Sequence, residues 1–505
     1  MTVRELLQAF ARAMPPDQRP HVPADAPALD VRCTGVAYDS RRAERGSLFV
    51  ALRGFNTDGV DFAPQAIAAG AVAVVAERQP SAPAKVPWIV VKDARLALAW
   101  LAAEFFERPS RQMQVVGITG TNGKTTTGYL VSAIFEAAGI TCGLMGTVVY
   151  RIGSSELVAT RTTPEAPDVQ GLMRQMVTAG CGACVMEVSS HALALRRVDG
   201  IRFAAGVFTN LTRDHLDFHM DMEDYFTAKR RLFEMLPDEA PALLNVDDPR
   251  GVTLTETVKR PVTYAINRAA DVTPGPLSFS LSGLQFDVRT PAGVVHVKSK
   301  LVGKPNVYNI LAAVSTTAAL GVPLKAIERG LENLDGVPGR FELVSSPVDN
   351  ITVLVDYAHT DDALRNLLET ARPLAARRLI TVFGAGGDRD RTKRPLMGMV
   401  AARLSDVVVV TSDNPRSEDP LRIIDEVKRG AEPETRQGGA EVITIADRRE
   451  AILYAVGKAS SGDVVLIAGK GHEKYQDIGG RVLPFDDVAV AREALEARRL
   501  RSRVG

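Results

Sequence analysis

Two glycines, a lysine and a run of threonines stand together in "GITGTNGKTTTGYL", residues 117–130. That combination suits phosphate. Gly120 and Gly123 let a backbone come close to an anion, Lys124 neutralises phosphate charge, and the Thr125 hydroxyl can ligate Mg²⁺. Thr121, Asn122 and Thr126 complete the loop. The spacing departs from the common pattern G-x-x-x-x-G-K-[ST], because Ile118 stands where that pattern has its first glycine.

Other residues carry weaker signals. Glu187 in "MEVSSHAL" and His215 in "TNLTRDHLDFH" follow apolar runs, at expected strand ends, where each could face a Mg²⁺ held by the loop. His215 and His219 form a possible i, i+4 pair, but the glutamate of H-E-x-x-H is missing, so they are no zinc-protease signature. Cys181 and Cys184 form a C-x-x-C with no second pair and no His at zinc spacing, and they read as packing residues.

These residues need elements to position them. "MQVVGI" reads as a strand, and after the loop Leu130, Val131, Ile134 and Phe135 recur at helical spacing. A strand running into a helix N-terminus is the setting in which backbone N–H groups and the helix dipole hold phosphate. The chain of 505 residues exceeds what one core serves, and about three domains are expected. Residues 1–110 read as a small α/β domain, with strands in "GSLFVAL" and "AVAVVAE" around a helical "FAPQAIAAGA". Residues 111–338 alternate short apolar runs with helices, as in a mostly parallel sheet. Residues 339–505 repeat that style in Rossmann-like fashion, with "ITVLVDYAH", "LITVFGAGG", "DVVVVTSDNP" and "DVVLIAGKGHE" each ending in a turn suited to ligands. The fold class expected is therefore α/β with three domains.

Composition narrows the partners. A formal net charge of +1 gives no bulk electrostatic case for nucleic acid or an anionic membrane. No uninterrupted apolar run reaches the roughly 18 residues of a bilayer span, and the N-terminus has no cleavage signal. A cytoplasmic monomer acting on small molecules is expected.

The words "TGTNGKTTT", "TTPE", "MEVSSHAL", "DHLDFH", "YFTAK", "GKPNVYNILAA", "DYAHT", "GGDRDRTKRP", "DNPR" and "GKGHE" occur in the order found in the Mur ligases, and the chain resembles that family over nearly its whole length. The family forms amide bonds in peptidoglycan synthesis. The resemblance is strongest to its diaminopimelate-adding branch, and it implies a phosphate loop of the variant form G-T-N-G-K-[ST].

The resemblance implies an ATP-dependent ligase with ATP as co-substrate and two Mg²⁺ ions. It implies catalytic roles for Lys124, Glu187, His215 and Lys229, with Asn306 and Asn309 near ATP. Lys229 alone reads as a solvated helix lysine; the resemblance makes it an N6-carboxylysine, modified by CO₂. Thr125 and Glu187 would hold one Mg²⁺, His215 and modified Lys229 the other. Ser40, Thr162, Thr163, Ser189 and Arg197 would bind UDP-N-acetylmuramoyl-L-alanyl-D-glutamate, with Phe55, Asn56 and Thr57 in an adjoining loop. Arg389, Asp413, Asn414, Pro415, Arg416, Gly469 and Glu473 would form the pocket for meso-diaminopimelate. Leu195, Asp361 and Ala385 depart from residues frequent in the family (Gln, Pro and Cys), and no contact is carried over for Leu195.

Two rivals differ in kind. Folylpolyglutamate synthetases share the ATPase design and carbamylated lysine, but the 110 residues before the phosphate loop argue against them. A nucleotide-controlled switch would explain the loop and leave "DNPR", "GGDRD" and "GKGHE" without a role.

Overall fold

The computed structural model describes every residue except 21, 23–25, 55, 56, 81, 82, 281, 282, 437 and 505; Phe55 and Asn56 thus lie outside the described residues. The N-terminal segment has four parallel strands in sequence order, Gly35–Ala37, Ser47–Val50, Ala73–Ala76 and Trp88–Val90. Helices Val3–Ala13 and Ala94–Phe105 pack together beside them. The first helix begins in a capping box between Thr2 and Glu5 and buries Val3, Leu6, Leu7 and Phe10.

The central segment is built on an eight-stranded sheet ordered Pro261–Tyr264, Ala242–Asn245, Ala205–Phe208, Gln114–Thr119, Ala183–Glu187, Cys142–Met145, Val149–Ile152, Ser155–Val158. Its first six strands are parallel, and the last two form an antiparallel edge. The strand that feeds the phosphate loop is interior, so its backbone groups are paired on both sides. The helical spacing read after the loop becomes helix Lys124–Ala137, whose Leu130, Val131, Ile134 and Phe135 are fully buried.

A second, antiparallel sheet was not expected within the parallel pattern. It comprises Thr273–Pro274, Ser278–Ser280, Gly283–Thr290 and Gly293–Ser299. In Leu284, Phe286 and Val288 against Gln285, Asp287 and Arg289, side chains alternate between core and solvent, as in a sheet with one wet face. The covered face joins the core to which helices Lys304–Ala319 and Leu324–Asn333 also contribute.

The C-terminal segment carries a six-stranded sheet ordered Glu342–Leu343, Thr352–Asp356, Val464–Ala468, Leu379–Phe383, Val407–Val410, Glu441–Thr444, parallel except for the first strand. Apolar cores lie on both of its faces. The four strands read from sequence here are all present; three run into Gly- or Asp-containing turns, while Thr352–Asp356 runs into residues 357–360, which hold neither. The architecture is α/β with three domains.

The phosphate-loop helix is held from behind by Leu324–Asn333 at very short range: a β-carbon on Gly330 would lie 2.5 Å from Ile134 Cα. Backbone cannot yield as a side-chain tip can. Gly330→Val is therefore expected to cost about 1–3 kcal/mol by overpacking, read as a lower urea midpoint of the full chain. An unchanged midpoint would contradict this packing.

Candidate active site

The loop after strand Gln114–Thr119 is held by its neighbours. Gly120 has φ +145°, and any β-carbon there would collide with Thr209 Oγ1; one on Gly123, with φ +89°, would collide with Asn309 Oδ1. Asn210 accepts from Asn122 N through Oδ1 at 2.9 Å and from Thr121 N through its carbonyl at 2.9 Å. Thr209 Oγ1 donates to Asn122 O at 2.6 Å. Lys124 folds back, its Nζ donating to Gly120 O at 2.9 Å and Thr121 O at 2.8 Å. Asn309, on the same helix as Asn306, reaches the helix that follows the loop: its Oδ1 accepts from Thr127 Oγ1 at 3.4 Å, and its Nδ2 donates to Asn306 Oδ1 at 2.9 Å.

Glu187 ends its strand as read from sequence, buried beside the loop. Thr125 Oγ1 donates to its Oε1 at 3.0 Å, and Thr147 donates through N to Oε1 at 2.8 Å and through Oγ1 to Oε2 at 3.0 Å. Lys229 is not the solvated helix lysine that its own position suggests. It is 1% exposed, and its Nζ donates to the same Gly120 carbonyl at 2.8 Å. Burial, reinforced by the Lys124 charge, pushes its pKa well below the ordinary lysine value. Such an amine is favoured in its neutral form, the state that reacts with CO₂.

His215 lies in the loop after strand Ala205–Phe208 rather than at that strand's end, with φ +56°. The strand stops at Phe208 because Thr209 and Asn210 are taken up by the phosphate loop. Burial holds the His215 imidazole well below its usual pKa, against the opposing pull of Asp214, whose Oδ2 lies 3.4 Å from Nε2. The ring is thus available as a neutral ligand. His219 instead turns its Nδ1 to Asp224 Oδ2 at 3.3 Å. On the C-terminal segment, His359 is pushed down to about 4, chiefly by burial, with Nε2 4.0 Å from Asp214 Oδ2.

Thr125 and Glu187 fit one Mg²⁺, since a hydroxyl and a carboxylate converge within hydrogen-bonding distance. Among the described residues there is no cluster of three or more His, Cys, Asp or Glu side chains placed to hold a metal. Cys181 and Cys184 are buried in an apolar core, where burial raises both thiol pKa values.

A cavity of about 1290 Å³ brings together Asn122, Lys124, Thr125, Glu187, His215 and Lys229 with Asn306 and Asn309. Thr162 and Ser189 also line it. Thr162 Oγ1 lies 3.1 Å from Thr147 Oγ1, and Thr163 Oγ1 donates to Glu187 O at 2.8 Å. Arg197 donates to Thr163 O at 3.1 Å and pairs with Glu165 at 2.7 Å. Ser40 sits in the N-terminal segment, its Oγ donating to Gln65 Oε1 at 2.9 Å.

The other expected residues form a separate cluster on the C-terminal segment. Asn414 Nδ2 donates to Glu473 Oε2 at 2.8 Å, and a β-carbon on Gly469 would lie 2.5 Å from Asp413 Oδ2. Arg416, at φ +53°, donates through Nη1 to Gly387 O at 2.6 Å and follows the buried Pro415. Arg389 is more exposed, 4.0 Å from Asp217 of the central segment.

Two residues of this arrangement were not singled out in the sequence. Arg340, in the linker word "GVPGR", donates through Nη2 to Thr125 Oγ1 at 3.1 Å and lies 4.4 Å from the Tyr357 ring centroid. Lys470, inside "GKGHE", is fully buried against Asn414 and Glu473. By local sequence, a linker arginine and a lysine between glycines both read as solvated.

A strand–loop–helix phosphate site facing the C-terminal segment across a large cavity defines a nucleotide-using enzyme of α/β type. Segment 32–106 matches the Mur ligase family catalytic domain, 118–317 the Mur ligase middle domain, and 339–471 the Mur ligase glutamate ligase domain. The chain is 49% identical over 473 residues to UDP-N-acetylmuramoyl-L-alanyl-D-glutamate--2,6-diaminopimelate ligase of Gloeobacter violaceus, covering 94% of this chain and 96% of that protein. It is similar to a solved structure of a protein of the same name, at 34% identity and TM-score 0.69, covering 99% and 100% of the two chains. A structure of MurF ligase from Thermotoga maritima in complex with ADP shares the fold at 18% identity and TM-score 0.63, covering 92% and 98%. The chain belongs to the Mur ligase family. It is a ligase.

Arg340 brings a cation from the linker to the Thr125 hydroxyl, in position to meet negative charge at the loop. Arg340→Met should lower kcat by about 10²-fold or more while leaving the thermal midpoint within a few degrees, as for loss of a preorganised donor. A folded variant turning over at the wild-type rate would remove Arg340 from the site.

Proposed function

We propose that this ligase joins meso-2,6-diaminopimelate to the D-glutamyl γ-carboxylate of UDP-N-acetylmuramoyl-L-alanyl-D-glutamate, in the cytoplasm and as a monomer, with ATP as co-substrate. The observation that carries the reading is a phosphate loop beside a buried Lys229 amine driven toward neutrality, with a mixed acidic and guanidinium pocket on the facing domain. The names borne by relatives of nearly the same length support the substrates. Among the described residues no helix is long and apolar enough to cross a membrane.

A carboxylate resists amines until its oxygen becomes a better leaving group. The γ-phosphoryl group of ATP passes to the carboxylate oxygen, and ADP leaves. The amine nitrogen then attacks the acyl carbon, the C–O bond to phosphate breaks, and the amine loses a proton. Lys124 meets the phosphates, Arg340 adds charge at Thr125, and Asn306 and Asn309 line the nucleotide side of the cavity. Mg²⁺ at Thr125, Glu187, His215 and carbamylated Lys229 would neutralise the crowded phosphate oxygens. Thr162, Thr163, Ser189 and Arg197 lie toward the UDP-linked substrate, with Ser40 at its uridine end. No protein nucleophile is needed, and catalysis is positioning and electrostatics.

In carbamylation, the Lys229 nitrogen adds to CO₂, an N–C bond forms and one proton leaves. Lys229→Ala should lower kcat by about 10²-fold or more, and acetate or formate should restore part of it by supplying a carboxylate. Intact mass of the wild-type protein should show one added CO₂. Fully active protein with an unmodified lysine would end the carbamate reading.

Arg416 has donors beyond its bond to Gly387 O, and these can take the distal carboxylate that distinguishes diaminopimelate from lysine. Charge-assisted hydrogen bonds contribute about 1.5–3 kcal/mol, so Arg416→Ala should lower kcat/KM for diaminopimelate by about 10- to 150-fold. KM for ATP should stay within about twofold. A wild-type enzyme that couples lysine as well as diaminopimelate would overturn the assignment.

A further inference from the structure

We propose that Lys470 is the positioning residue of the amino-acid pocket, presenting one oxygen of Glu473 to the ligand's distal ammonium. This rests on the diaminopimelate reading and adds to it a residue that need not touch the ligand. Lys470 has no exposed surface, although lysine is almost never fully buried without partners. Its Nζ donates to Asn414 Oδ1 at 2.9 Å and Glu473 Oε2 at 3.1 Å, and lies 3.8 Å from Asp413 Oδ1. The Tyr475 ring centroid is 5.4 Å away.

These bonds orient the pocket. Asn414 Oδ1 also accepts from Asp477 N at 3.0 Å, so two donors identify it as the amide oxygen. Asn414 Nδ2 must then donate, and it does so to Glu473 Oε2 at 2.8 Å. Glu473 Oε2 is thus held by two donors, and the carboxylate can turn only its Oε1 to a ligand. Gly469 and Gly471, at φ +117° and +53°, bracket Lys470 and turn it inward.

The charges agree with that geometry. Asp413 and Glu473 against Lys470 leave the cluster one negative charge in excess, matching one ammonium. Burial and Asp413 both raise the Glu473 pKa, while Lys470 and the Asn414 donor lower it. Arg448 also feels Glu473 and Asp413, but its guanidinium is committed to Asp487 at 2.7 Å. Tyr357 with Arg340 over its ring, Tyr475, Arg416, Asp477 and the burial-neutralised His472 also stand around this cluster. The net effect is a raised pKa, and Lys470 is the cation that opposes burial and the Asp413 charge at Glu473.

The test uses the full-length protein with saturating ATP and UDP-linked substrate, and diaminopimelate as the varied amine. Lys470→Met should raise KM for diaminopimelate by about 10- to 100-fold, the loss of charge-assisted hydrogen bonds, with kcat changed by less than about threefold. KM for ATP should stay within about twofold. Without the neighbouring cation Glu473 protonates more readily, so the acid limb of kcat/KM for diaminopimelate should move to higher pH. Lys470→Gln keeps a donor without the charge; it should show the same pH movement with a smaller rise in KM, and it serves if the Met variant does not fold. An unchanged KM and acid limb, or equal loss for all three substrates, would overturn the proposal. Wild-type protein that fails to couple diaminopimelate would instead overturn the reading on which it rests.

Discussion

Two lysine ammonium groups meet at one carbonyl. Lys124 and Lys229 donate to Gly120 O from 2.9 and 2.8 Å, inside a site where burial lowers both pKa values. Two like charges so close together are costly in a low dielectric, and the more deeply buried partner, Lys229, is the one driven toward neutrality. The rest of the site follows from that constraint. The loop must keep its carbonyl turned inward, which needs Gly120 at φ +145° against Thr209, and the helix bearing Lys229 must lie close to the loop. Tyr225, one turn before, keeps its ring centroid 4.3 Å from Lys229 Nζ and its hydroxyl 3.2 Å from Thr121 Oγ1.

The cavity is a property of two domains together. Arg340 reaches Thr125 from the linker, Asn122 Nδ2 donates to Asp362 Oδ2 at 3.1 Å, and Arg213 donates to Thr392 Oγ1 at 3.0 Å. Asp361, the departure from a frequent proline, lies 3.6 Å from Arg213 and so adds an ion pair across this junction. The same linker touches the amino-acid pocket: Gly339 has room for no side chain against His472 N, and Gly471 packs on Tyr357, the ring on which Arg340 lies. Phosphate loop and pocket are therefore joined by one packed run of residues. The N-terminal domain is fastened at the other side through Tyr38 to Asp168 at 2.8 Å and Arg196 to Asp93 at 2.5 Å.

The phosphate loop was legible because strand, glycines, lysine and helix are contiguous, and each leaves a local pattern. The parallel strands of the C-terminal domain were legible for the same reason, as apolar runs ending in turns. The antiparallel sheet over 273–299 escaped because its strands sit within a segment read for parallel pairing, although its alternation was present. His215 was placed at a strand end that the strand does not reach.

The amino-acid sequence by itself determined the loop chemistry, the α/β class and, through its ordered words, the family resemblance. These depend on neighbours along the chain. Tertiary structure alone decided which lysines are buried. Lys229 and Lys470 have nothing in their local sequence to distinguish them from solvated lysines, and Arg340 nothing to set it apart from any linker arginine. Burial, the nearness of another charge and the orientation of an amide come from residues far apart in the chain, such as Gly120 with Lys229 or Asn414 with Lys470. The energy that shifts a proton or turns a carboxylate depends on those distances.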